Sequence, residues 1–139
     1  MHDPTANAVA SDHRHTVLYI EDNAANLRLV ERVLARRGDI EVISATRGLV
    51  GLEMARDHQP CVVLLDIHLP DVNGDRVIRR LRDDPLTRSI PIIVVSADAS
   101  ERQIQRLLQS GAWAYLTKPL DIDKLIQLVD EIVRQRNSV

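Results

Sequence analysis

A short run of apolar residues that ends in an acid is the feature that most constrains this chain. Residues 62–65 read Val-Val-Leu-Leu, Asp66 follows them, and Pro60 and a Pro-Asp-Val-Asn-Gly segment bound the run. Such a short run without alternation predicts a strand that is buried on both faces. That strand requires a sheet covered by helices on both sides, and it places Asp66 at the strand's carboxyl end.

Four more strand patterns and five helical patterns alternate along the rest of the chain. The apolar runs predict strands over 16–20, 40–45, 90–97 and 114–117. Apolar residues at helical spacing, with caps and stop signals, predict helices over 23–37, 46–58, 73–83, 100–110 and 121–135. Because this alternation demands parallel pairing with right-handed crossovers, it predicts a doubly wound α/β sandwich around a five-stranded parallel sheet.

One domain accounts for nearly all of the 139 residues. The polar start predicts a flexible tail or linker over 1–15, a domain over 16–135 and a short tail over 136–139, with no output module following in this chain.

Composition argues against several classes of partner. The net charge is -2 and the chain has no Phe and one Trp, so we expect no direct nucleic-acid binding. No apolar run has the length of a membrane span and no signal-peptide pattern is present, so we expect no direct membrane contact and a cytoplasmic location. The single cysteine, Cys61, opens the central strand, where a buried thiol is the ordinary explanation.

Polar side chains follow three other predicted strands at the points where those strands end. Glu21 and Asp22 follow the first strand, Ser96 ends the fourth, and Lys118 follows the fifth. Ligands of open parallel sheets collect outside the carboxyl ends of the strands. We therefore expect these four residues and Asp66 to share one edge of the sheet.

The predicted cluster has the chemistry of a magnesium and phosphate site. Two carboxylates about 4 Å apart repel by roughly 4 kcal/mol at an effective dielectric constant of 20, so three of them require a cation. Carboxylate oxygens suit Mg²⁺, and Lys118 and Ser96 offer donors for a phosphoryl group on Asp66. Individually, the acids could instead cap helices or remain solvated, and Ser96 could cap the next helix.

These residues and their spacing resemble the receiver domains of bacterial two-component response regulators and hybrid histidine kinases. The resemblance spans 16–133 and implies a flavodoxin-like (βα)5 fold. It rests on the acidic pair, on Leu-Leu-Asp-Ile-His-Leu-Pro around Asp66, on Gly74, on Ser96-Ala97, and on Tyr-Leu-Thr-Lys-Pro over 115–119.

Position by position, the resemblance implies a role for each site residue. The groups implied to take part in phosphoryl transfer are Asp66 as phosphoacceptor, Lys118 and Ser96. The groups implied to hold Mg²⁺ are Glu21, Asp22, Asp66 and the backbone carbonyl of His68. The implied switch residues are Ser96 and Tyr115, acting on the surface of the fourth helix, fifth strand and fifth helix.

The function implied is a signalling domain that takes a phosphoryl group from a histidine kinase or a histidine phosphotransfer protein. Such a domain is no enzyme toward other substrates, although it assists its own phosphorylation and dephosphorylation. We expect a monomer or weak homodimer, either free-standing or the receiver of a hybrid kinase. Two alternatives remain open: a phosphohydrolase with an aspartyl nucleophile, for which His68 replaces the expected second acid, and an interaction domain that works without phosphorylation.

Overall fold

A computed structural model describes residues 14–137. Five strands and five helices alternate along them. The strands are β1 (His15–Ile20), β2 (Ile40–Ala45), β3 (Val62–Asp66), β4 (Ile92–Ser96) and β5 (Ala114–Thr117). The helices are α1 (Ala24–Ala35), α2 (Gly48–His58), α3 (Gly74–Asp83), α4 (Glu101–Gln109) and α5 (Ile122–Asn137).

The five strands form one parallel sheet in the order β2-β1-β3-β4-β5. The strand order reverses at β1, which lies between β2 and β3, so the carboxyl ends of β1 and β3 flank the crevice where such sheets bind ligands. This arrangement confirms the predicted doubly wound sandwich.

Two apolar layers cover the two faces of the sheet. Residues of β1 and β3 alternate between the layers, as strand geometry requires: Val17 and Tyr19 pack toward α1 and α5, whereas Leu18 and Ile20 pack toward α2, α3 and α4. All five residues of β3 are buried, which confirms the prediction of a strand covered on both faces.

Helix caps explain where most helices begin. The side chains of Asn23, Asn73 and Ser100 accept hydrogen bonds from backbone N–H groups in the first turns of α1, α3 and α4. Helix α2 lacks a cap from its own preceding residue. Instead, the Asp71 carboxylate in the β3–α3 loop accepts from Gly48 N at 2.8 Å and Leu49 N at 3.1 Å.

The element bounds differ from the predicted ones by one or two residues at most ends. Strand β1 begins at His15, because its N–H donates to Asp39 O at 2.7 Å and ties the residue to the start of β2. Strand β4 begins two residues later than predicted, at Ile92, and helix α5 continues to Asn137. The predicted tail over 1–15 otherwise lies outside the described residues, apart from Arg14.

Candidate acidic site at the carboxyl edge of the sheet

The acids expected to meet at the carboxyl edge of the sheet do so. One carboxylate oxygen of each of Glu21, Asp22 and Asp66 lies within 4.8 Å of one from each of the others. Glu21 and Asp66 are buried, 1% and 4% exposed, whereas Asp22 is exposed. This places two desolvated acids beneath one that solvent reaches.

Lys118 joins the two buried acids. Its Nζ lies 3.2 Å from Glu21 Oε1 and 3.5 Å from Asp66 Oδ2. The position of Lys118 follows from β5, where its N–H donates to Ser96 O at 2.8 Å and the Lys118–Pro119 peptide bond is cis. One ammonium therefore lies between two carboxylates, and the buried charge remains negative.

The pKa values of the two buried acids shift in opposite directions. Burial, together with the adjacent Glu21, raises the pKa of Asp66 to about 6 against the opposing His68 N–H and Lys118 ammonium. Burial also acts to raise the pKa of Glu21, but a hydrogen bond with Asp66 and the Lys118 charge lower it overall. As the pH falls, Asp66 is therefore the first of the two acids to take up a proton.

Tyr19 is a member of the site that sequence reasoning missed. It is fully buried in β1, and its hydroxyl donates to Glu21 Oε1 at 3.0 Å. Burial, together with the Glu21 charge, raises the pKa of Tyr19, so the hydroxyl stays protonated. The signal was present: residues two apart on a strand share a face, and Tyr19 precedes Glu21 by two.

Ser96 and Tyr115 lie on the β4–β5 side of the site. Ser96 is fully buried one residue beyond Val95, the β4 partner of Asp66, and its Oγ accepts from Asp98 N at 3.1 Å. The alternative role of Ser96 as the cap of the next helix does not apply, because Ser100 caps α4. The Tyr115 hydroxyl donates to Asp98 O at 2.5 Å and so joins β5 to the loop before α4.

His68 turns its backbone toward the site. The side chain is exposed, and His68 N donates to Asp66 Oδ1 at 3.1 Å. Beside it lies a cleft of about 670 Å³, whose lining includes Asp22, Asp98 and Arg106. Through Asp22, this cleft borders the acidic cluster.

The donor set fits a small divalent cation. Three carboxylates are hard oxygen ligands of the kind Mg²⁺ prefers, and an ion there offsets the negative charge that raises the pKa of Asp66. Within residues 14–137, no hydrogen bond to the Asp22 carboxylate occurs, so its oxygens are available. The residues therefore fit the ion that the sequence predicts.

Comparison with known proteins gives one consistent result. The family model of the response regulator receiver domain matches residues 17–130. The polar-differentiation response regulator DivK of Brucella anthropi is 37% identical over 114 residues, which are 82% of this chain and 92% of DivK.

Two solved structures that match are receiver domains. A Francisella response regulator receiver domain has a TM-score of 0.82 at 26% identity, with 88% of this chain and 99% of that chain covered. The receiver domain of a Pseudomonas aeruginosa sensor histidine kinase has a TM-score of 0.78 at 27% identity, with 86% and 98% covered. That structure has a magnesium ion coordinated in its active-site cleft. In the described part of this chain, no helix combines the length and hydropathy needed to cross a membrane.

Proposed function

Because this chain belongs to the response regulator receiver domain family, we propose that Asp66 accepts a phosphoryl group from a phosphohistidine of a histidine kinase or histidine phosphotransfer protein. The observation that supports this role most directly is the Lys118 ammonium, 3.5 Å from Asp66 Oδ2 and 3.2 Å from Glu21 Oε1. A cation between the nucleophile and its neighbour is placed to meet the oxygens of an incoming phosphoryl group.

The proposed step is a transfer between two nucleophiles. A carboxylate oxygen of Asp66 attacks phosphorus while the bond from phosphorus to the donor imidazole nitrogen breaks. The imidazole leaves with the electron pair of that bond and takes up a proton. Lys118 and the Ser96 hydroxyl then donate hydrogen bonds to the phosphoryl oxygens, and hydrolysis of the acyl phosphate returns the carboxylate.

The residues proposed to hold Mg²⁺ are Glu21, Asp22, Asp66 and, through its carbonyl, His68. When bound, the ion supplies positive charge to the phosphoryl oxygens during the transfer. Lys118 alone cannot provide this positive charge, because the three acids of the cluster carry more negative charge than one ammonium offsets.

The proposed output is a change of the surface formed by α4, β5 and α5. The Ser96 hydroxyl that would donate to the phosphoryl group accepts a hydrogen bond from Asp98 N. The Tyr115 hydroxyl donates to Asp98 O. Both contacts involve Asp98 in the β4–α4 loop, so a movement of Ser96 would be transmitted to Tyr115 through that residue. The domain over 16–135, the cytoplasmic location and a monomer or weak homodimer remain part of this proposal.

Phosphorylation with a small donor tests the assignment of Asp66. The chain is incubated with acetyl phosphate with and without Mg²⁺, and its mass is measured. We expect one added phosphoryl group that requires the ion, none in Asp66→Asn, and one in the matched control Asp57→Asn. Asp57 is exposed near the end of α2, away from the carboxyl edge of the sheet.

Two results would contradict the proposal. One is a folded chain whose mass stays unchanged with Mg²⁺ and donor. The other is sustained hydrolysis of a generic phosphate ester that Asp66→Asn abolishes, which would favour a phosphohydrolase.

A further inference from the structure

Tyr19 carries a hydroxyl at a core position that an apolar ring alone would fill. Its ring packs in the apolar layer between the sheet and helices α1 and α5, beside Val17 and Leu64. A phenylalanine would fill the same space, and a buried phenol must find a partner for its hydroxyl. What the tyrosine adds is therefore the hydrogen bond from its hydroxyl to Glu21 Oε1.

The two oxygens of Glu21 are engaged very differently. Oε1 accepts from three side chains: Tyr19 OH at 3.0 Å, Lys118 Nζ at 3.2 Å and Asn26 Nδ2 at 3.4 Å. Oε2 accepts from one backbone group, Asn23 N, at 3.2 Å. Oε2 is therefore the oxygen with acceptor capacity left for an ion.

Tyr19 is the donor best suited to fix this orientation. Its hydrogen bond is the shortest of the four, and its side chain is fully buried in β1. Lys118 is 26% exposed and also lies near Asp66, and Asn26 is only half-buried on α1. The tyrosine hydroxyl thus gives the Glu21 carboxylate its most rigid contact.

We propose that Tyr19 is a positioning residue for the divalent-cation site, holding Glu21 Oε1 toward Lys118 so that Oε2 remains available to the ion. The proposal rests on the function proposed above, because it requires that the acidic cluster binds a cation. It assigns Tyr19 no contact with the ion or the phosphoryl group. Its effect passes through Glu21 alone.

Magnesium titration without any phosphodonor tests this role. Affinities of Tyr19→Phe and the original chain for Mg²⁺ are measured by calorimetry. Removing a hydrogen-bond partner of a metal ligand typically weakens binding by about 10- to 100-fold, and we expect roughly tenfold here because three donors remain on Glu21. Thr87→Val is the matched control, since it also removes a buried hydroxyl, one that donates to Leu81 O at 2.7 Å. We expect unchanged Mg²⁺ affinity in that variant.

A double-mutant cycle separates positioning from a general effect on the fold. In the Glu21→Gln background, Tyr19→Phe is expected to change Mg²⁺ affinity less than about twofold, because the residue it acts through no longer carries the charge. Equal affinity in Tyr19→Phe and the original chain would overturn the proposal, as would the same loss in both backgrounds. If the original chain itself binds no Mg²⁺, the proposed function fails first.

Discussion

Asp66 illustrates how a single buried residue can be kept reactive at the expense of stability. Its pKa of about 6 lies above the ordinary 3.8, because burial disfavours the charge and Glu21 repels it. At neutral pH the carboxylate is ionised and available as a nucleophile, but it is less favourable in the folded chain than in water. The destabilisation at this residue therefore has the same origin as its proposed reactivity.

Replacing Asp66 by Asn should stabilise the chain in the absence of divalent ions. Between about pH 4 and pH 6 the folded chain binds a proton at Asp66 that the unfolded chain has lost, so this residue lowers the free energy of unfolding as the pH rises. We expect Asp66→Asn to raise the free energy of unfolding by about 2 kcal/mol near pH 7.5, and by about half as much near pH 5. Urea unfolding in EDTA measures both.

Two comparisons make this prediction specific. Asp57→Asn, an exposed replacement of the same type, should leave the urea midpoint unchanged at both pH values. A destabilised Asp66→Asn near pH 7.5, or a difference that does not shrink toward pH 5, would contradict a raised pKa as the cause.

The limits of sequence reasoning at this scale are visible at Tyr19 and Asp71. The convergence of Glu21, Asp66 and Lys118 followed from strand ends in a parallel sheet, which is a property of the backbone. Tyr19 was read as part of an apolar run, because its ring fits one and only three-dimensional packing shows where its hydroxyl goes. Asp71 caps a helix 22 to 23 residues earlier in the chain, a pairing that local sequence rules do not address.

Among the elements, helix α3 begins directly against the backbone that follows Asp66. Gly74, its first residue, donates its N–H to Ile67 O at 3.1 Å. A Cβ at Gly74 would lie 2.7 Å from Ile67 Cα and 2.4 Å from its Cδ1. The start of α3 therefore packs against the backbone between Asp66 and His68, and a side chain there must displace it.

Gly74→Ala should consequently impair both stability and the site. We expect a loss of about 1–3 kcal/mol in the free energy of unfolding, the usual effect of overpacking, and slower phosphorylation per folded molecule because the Ile67–His68 backbone shifts. Urea unfolding and the rate of mass increase with acetyl phosphate measure the two effects.

Gly38→Ala is the control for a loss of stability alone. Gly38 has φ 74° and no atom within 4 Å of a built Cβ, so alanine there costs about 1–2 kcal/mol of backbone strain and touches nothing. Its phosphorylation rate per folded molecule should match the original chain. Equal rates in Gly74→Ala and Gly38→Ala would show that α3 does not position the site.

Element bounds were predictable to within about two residues for a physical reason. Asn23, Asn73 and Ser100 cap helices by local contacts, so the starts of α1, α3 and α4 could be inferred from sequence. The start of β1 at His15 and that of β4 at Ile92 depend on pairing with residues distant in sequence. The pattern of apolar residues alone does not show at which residue the pairing with a neighbouring strand begins or ends.

For the molecule as a whole, the described residues contain a complete fold. Both apolar layers and all five strands lie within residues 14–137. A chain of residues 14–137 should therefore have the melting temperature and the phosphorylation rate of the full chain. Calorimetry and the acetyl phosphate assay test this, and a fall in melting temperature of several degrees would show that residues outside this range contribute to stability.

Helix α4 is anchored to the core by a single buried residue. Its one buried residue is Leu107, whereas α1 buries Leu27, Val30 and Leu34. Elements with few buried apolar side chains open at low free-energy cost. The hydrogen bond from Tyr115 to Asp98 O lies at the loop that begins α4, so it links β5 to this weakly packed helix.

Phosphorylation of Asp66 should therefore change the dynamics of α4 more than those of the central strands. With beryllofluoride and Mg²⁺ as a stable mimic, we expect amide hydrogen exchange to change over residues 98–109 and 114–117 and to stay unchanged in β1 and β3. A shift from 1:99 to 99:1 would require about 5.5 kcal/mol of differential interaction, so a partial shift gives a partial change. Tyr115→Phe should reduce the response in 98–109 while leaving binding of the mimic intact. Exchange changes confined to residues next to Asp66, or an equal response in Tyr115→Phe, would mean that the Tyr115 hydroxyl does not carry the signal.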